Sequence, residues 1–63
     1  MYWVKYPNGW LLRTDGEGTL GIVFKMRRCW VWRADSVETQ TRYVKDAKAA
    51  LWAYRVAKLL EDS

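Results

Sequence analysis

Between residues 19 and 26 the chain reads TLGIVFKM, and its apolar residues recur at every second position. Leu20, Ile22, Phe24 and Met26 fall on one side, and Thr19, Gly21, Val23 and Lys25 on the other, which is the period of a β-strand. The segment CWVWRA repeats the alternation and predicts a strand over 29–34. Trp30, Trp32 and Ala34 share one face there, opposite Cys29, Val31 and Arg33. Upstream, Pro7-Asn8-Gly9 punctuates two extended runs, 2–6 and 10–14, as a tight turn does. TDGEG breaks the chain again before the strand over 19–26, and Arg27-Arg28 form the connection after it. DSVET is a further loop. The following TQTRYV reads either as a short last strand over 39–43 or as a lead into a helix.

From 45 to 61 the pattern becomes helical. Alanine is abundant, no Gly or Pro interrupts, and Asp46 sits in the first turn, where an acid suits the helix dipole. At 100° per residue Ala47, Ala49, Ala50, Ala53, Tyr54, Val56, Ala57 and Leu60 share half of the wheel, and this half is expected to lie on the sheet. The other half carries Lys45, Lys48, Arg55 and Lys58 with Leu51, Trp52 and Leu59. The predicted fold is α+β: a three- or four-stranded antiparallel β-meander with one C-terminal helix packed across one face.

Sixty-three residues make one small domain, 1–63, whose core is thin for its surface. The chain has no histidine and a single cysteine, Cys29. An internal disulfide, a cysteine-based metal cluster and imidazole chemistry are thereby excluded, and no cofactor is called for. No glycine-rich phosphate loop precedes the helix, and Cys29 has no base at hand, so the expectation is a protein that is not an enzyme. There is no run of about 18 apolar residues. The first residues also lack the pattern of a signal peptide, and a lone cysteine suits a reducing compartment. A cytoplasmic domain without a membrane partner is expected.

Eleven Lys and Arg against seven Asp and Glu give a net charge of +4, which favours an anionic partner. The stretch RRCWVWR interleaves cations with tryptophans, as a surface that stacks bases does. Strand alternation accounts for it more simply: Trp30 and Trp32 face inward with Leu20, Ile22, Phe24 and Met26, and Arg33 faces outward. By the same parity the outer face of the sheet carries Arg13, Lys25, Arg33 and Arg42 and no acid, with Arg27 and Arg28 extending it at a hairpin tip. Cations directly opposite one another repel, so such a face costs free energy unless a partner offsets it; the alternative is a solvated basic face with no specific role.

The order of signals in GIVFKMRRCWVWRADSVETQTRYVKDAKAALWAY, residues 21–54, resembles a group of DNA-binding modules. The arm-binding N-terminal domains of phage tyrosine-recombinase integrases and the plant ethylene-response domain are members. The resemblance covers a little over half of the chain and is one of residue types. It implies a three-stranded antiparallel sheet backed by a helix, with the open sheet face entering a major groove. TDGEG and the N-terminal aromatic run have no counterpart in it. The cadence is also similar to that of small phage-encoded accessory proteins.

Two functions are therefore expected from the sequence. One is nucleic-acid binding, to duplex DNA, through Arg13, Lys25, Arg27, Arg28, Arg33 and Arg42. The alternative is a phage-type accessory or inhibitory protein. It would bind an acidic host protein, or form a homodimer, through Leu51, Trp52, Arg55 and Leu59 on the outer half of the helix.

Overall fold

In the computed structural model, residues 1–61 are described. They form five strands followed by one helix: β1 (Tyr2–Tyr6), β2 (Gly9–Thr14), β3 (Gly18–Lys25), β4 (Trp30–Ala34), β5 (Val37–Thr41) and α1 (Val44–Glu61). The strands pair antiparallel with their chain neighbours in a single sheet of order β1-β2-β3-β4-β5. The α+β meander with its C-terminal helix is as expected, but the strand count is five. The N-terminal run is a paired edge strand, and TQTRYV contributes only its first residues to a strand that starts earlier, at Val37.

Each turn has a local cause. Gly9 follows Pro7-Asn8 where β2 passes tightly against β3, since a Cβ there would stand 1.9 Å from the Val23 carbonyl oxygen. Asp35 takes a positive φ of 54° in the two-residue turn to β5, a conformation Asp tolerates better than most residues.

The helix crosses β3, β4 and β5 on one side of the sheet. The core consists of Leu12, Val23, Trp32, Ala34, Ala47 and Leu51, with Trp3, Trp10, Trp30 and Tyr54 partly buried against it. Trp32 is directly opposite Val23, and Trp30 opposite Lys25. Residues directly opposite share a face, so the side of β3 that meets the helix is Gly21, Val23 and Lys25. Trp30 and Trp32 face inward as the alternation predicts. The assignment of β3 was inverted, because Ile22, Val23 and Phe24 are all apolar and periodicity cannot say which side is covered.

A register shift between Leu12 and Arg13 accompanies the inversion. Leu12 pairs with Gly21 but Arg13 pairs with Thr19, leaving Leu20 as an extra residue in β3. Such a bulge resets the alternation. Leu20 accordingly packs on the helix-side core, while Ile22 and Phe24 lie on the opposite face with Arg33 and Val31.

The helix is also rotated from the face its alanines predict. Ala47 and Leu51 are buried, whereas Ala49, Ala53, Val56, Ala57 and Leu60 are exposed. Burying Leu51 over a glycine removes a whole leucine side chain from water, worth about 1.5–3 kcal/mol, while Val56 and Leu60 of the expected face stay exposed. Space filling decides the rotation. Ala47 of the helix and Trp32 of the sheet, a small residue and a large one, share the core.

Candidate functional site

In a meander, successive connections alternate between the two ends of the sheet. Pairing of Gly9 with Phe24, Lys25 with Trp30 and Trp30 with Thr41 puts the β1–β2 turn, the β3–β4 loop and the β5–α1 link at one end. Six cations belong to this end and its margins: Lys5, Lys25, Arg27, Arg28, Arg42 and Lys45. Lys48 stands one helical turn further along. The end thus holds seven of the chain's eleven Lys and Arg, with Asp46 as its one acid. The β2–β3 turn with Asp15 and Glu17, the β4–β5 turn with Asp35, and Glu61 of the helix lie at the opposite end.

Cations lie over rings at both ends, as Arg33 does over Phe24 and Lys58 over Tyr54, but the two ends differ in their ion pairs. Toward the acidic end, Arg33 bonds Glu38 through Nε at 2.9 Å and also through Nη2. Arg55 Nη1 reaches Asp35 Oδ2 at 3.1 Å, and Lys58 Nζ reaches Glu61 at 3.7 Å. At the basic end no ion pair forms among the described residues, and five of the seven cations lie against aromatic rings. Lys25 Nζ is 5.4 Å from the Trp30 ring centre, and Lys5 Nζ is 5.4 Å from that of Trp10. Arg42 and Lys45 stand 5.6 Å and 6.0 Å from the Tyr43 ring. Lys48 Nζ is 3.6 Å from the Trp10 ring and 5.0 Å from that of Trp3. An exposed contact of this kind is worth about 0.5–1 kcal/mol, so it holds a long side chain in place without cancelling its charge. The positive end of the helix dipole points the same way.

The scaffold of this end is well anchored. The Thr41 hydroxyl donates to the Tyr43 carbonyl at 3.0 Å and lies 3.5 Å from that of Trp30. The Tyr43 carbonyl in turn accepts the backbone N–H of Asp46 at 3.1 Å and of Ala47 at 3.2 Å, closing the first turn of the helix. The Tyr43 ring is 52% exposed, and Met26 beside the loop is 50% exposed.

Of the residues expected to form one cationic sheet face, the fold gathers Lys25, Arg27, Arg28 and Arg42 at the basic end. It separates Arg13 and Arg33 from them. Lys25 is on the helix side of the sheet, Arg33 is on the other side and tied to Glu38, and Arg13 is half-buried with its Nε lacking a partner among the described residues. The acid-free sheet face therefore does not exist, because Glu38 is directly opposite Arg33. That face carries Val4, Leu11, Ile22, Phe24 and Val31 at its centre. Lys5, Lys45, Lys48 and Tyr43 were not singled out as binding residues. Their signal lay in which connection each one flanks.

The alternative surface is also redrawn. Leu51 is fully buried, and Arg55 is held by Asp35 with a side chain only 17% exposed. Trp52 remains 37% exposed and lies against Trp3, the ring centres standing 6.3 Å apart. Leu59 is 60% exposed. At the acidic end a groove of about 340 Å³ runs between Leu20, Leu59 and Asp35. The Asp35 carboxylate there is already engaged by Arg55 and by the Tyr54 hydroxyl at 2.9 Å.

Among the described residues no group of His, Cys, Asp and Glu could hold a metal ion, and no helix is long and apolar enough to cross a membrane. Comparison with protein-family models, with curated proteins and with solved structures finds no match.

Proposed function

We propose that the protein is a nucleic-acid-binding module that works through the basic end of its sheet rather than through a sheet face. The observation that supports this reading is the segregation of charge. Of the four cations toward the acidic end, Arg33, Arg55 and Lys58 are paired with carboxylates, whereas none of the seven at the basic end and along its margin forms an ion pair among the described residues, and five of those, Lys5, Lys25, Arg42, Lys45 and Lys48, lie against rings. A cluster of unneutralised like charges costs free energy in isolation, and a polyanion relieves that cost while releasing its counterions.

The test is fluorescence anisotropy with a labelled oligonucleotide over a salt series. Roughly four to six phosphate contacts should give a log–log slope near −0.9 per contact on duplex and about −0.7 on a single strand. Affinity that does not change with salt overturns the proposal.

A second reading, an acidic partner protein on the helix, is supported by the exposure of Trp52, Val56, Leu59 and Leu60 on its flank and back. Trp→Ala at a hot spot costs upward of about 2 kcal/mol of binding. Sedimentation of wild type and Trp52→Ala distinguishes self-association through this surface from a monomer.

A further inference from the structure

We infer that the nucleic acid taken by the basic end is single-stranded, with bases stacking on Tyr43 and Trp30 while phosphates run along Arg42, Lys45, Lys25 and Arg27. This rests on the nucleic-acid reading above and adds the class of substrate.

The shape of the molecule argues against a duplex groove. Its principal extents are 37 × 20 × 19 Å, and an 18-residue helix alone spans about 27 Å. The long axis therefore follows the helix and strands, and the end presented is roughly 20 Å across. A major groove is about 12 Å wide, so this end cannot enter it as a body. Sheets that read a major groove do so with a face, and this sheet's open face is apolar at its centre, with Arg33 engaged by Glu38.

The chemistry of the end suits an unpaired strand. Single-strand sites combine a cationic track with aromatic rings, because every base has a π-face and an unstacked base needs one. Here the rings and the cations are the same cluster. Tyr43 is the most exposed aromatic residue at this end, is flanked by two cations, and its backbone carbonyl is held by the first turn of the helix. Trp30, with Lys25 against it, is tied to the same backbone junction through Thr41. A ring–cation contact here is worth roughly two- to fivefold, and stacking of one base roughly five- to 150-fold. A base can therefore displace the cation from the ring, and the displaced cation is then free to meet a phosphate. The width of the end suits about four nucleotides, the low end of known site sizes.

Anisotropy with a labelled 12-nucleotide single strand, the duplex of the same sequence and a polyphosphate competitor tests this. The single strand should bind at least tenfold more tightly than the duplex and outcompete polyphosphate. Tyr43→Ala should lower single-strand affinity about tenfold with the salt slope unchanged, since the ring carries no charge, and Tyr43→Phe should retain binding. Tyr43 is exposed, so the variants should keep the wild-type circular dichroism. Equal or tighter duplex binding with a steep salt slope overturns the single-strand assignment and leaves the basic-end reading standing. So does a Tyr43→Ala variant that binds as wild type. Salt-dependent binding to neither form overturns both.

Discussion

Gly21 of β3 lies so close beneath Leu51 of the helix that a Cβ on the glycine would stand 2.6 Å from Leu51 Cδ1 and 2.9 Å from Cδ2. This contact sets the height and rotation of the helix on the sheet. Gly21→Ala should cost about 1–3 kcal/mol by overpacking, and Leu51→Ala about 2–5 kcal/mol through the cavity it leaves. In the double variant the new methyl enters the space the leucine vacates, so its cost should fall below the sum of the two. Urea denaturation of all four proteins measures the coupling, and strict additivity would show that the two residues do not meet.

Trp32 is 6% exposed, with its ring centre 5.6 Å from that of Tyr54, and its Nε1 has no partner among the described residues. Trp32→Ala should therefore cost about 3–5 kcal/mol. Trp32→Phe should cost much less, because it keeps an aromatic ring against Tyr54 and removes a buried donor that has no partner among the described residues. A shift in thermal midpoint as large for Phe as for Ala would contradict this.

Tyr54 donates its hydroxyl to Asp35, and that bond, with burial and the charge of Asp35 adding, holds the phenol above its usual pKa of 10.0 against the opposing charges of Lys58 and Arg55. The folded state thus binds the phenolic proton more tightly than the unfolded state. Its contribution to stability is complete below pH 10 and is lost as the pH rises past it. Denaturation midpoints taken between pH 8 and 11 should fall less steeply for Tyr54→Phe than for the wild type.

The two ends of the molecule should separate in a binding assay. Arg27→Ala with Arg28→Ala should weaken nucleic-acid affinity and reduce the magnitude of the salt slope by roughly 0.7–0.9 per phosphate contact removed. Arg33→Ala should leave both unchanged, since its guanidinium is occupied by Glu38. An equal loss from Arg33→Ala would return the binding surface to the sheet face.

Much of the fold was legible along the chain. Period-two alternation and Gly/Pro/Asn/Asp punctuation placed the strands, the uninterrupted alanine-rich run placed the helix, and Trp30 and Trp32 were assigned to the core. These are local properties, set by backbone sterics and by neighbours one or two positions away. The start of the fifth strand, Val37-Glu38, escaped because it carries a single apolar residue and follows a turn whose length the sequence does not show.

What depended on tertiary structure was which side of each element is covered. Ile22, Val23 and Phe24 are apolar on both sides of β3, and the helix is apolar over much of its wheel. Covering is settled by fit: Gly21 and Val23 let the helix approach, Leu51 fills the space above the glycine, and the Leu20 bulge turns one more leucine inward. That choice sent Lys25 to the helix side and Arg33 to the other, and it dissolved the cationic sheet face. The basic end arose from a different rule. A meander returns every second connection to the same end, so cations far apart in the chain, from Lys5 to Lys45, meet there through a register that pairs Gly9 with Phe24, Lys25 with Trp30 and Trp30 with Thr41.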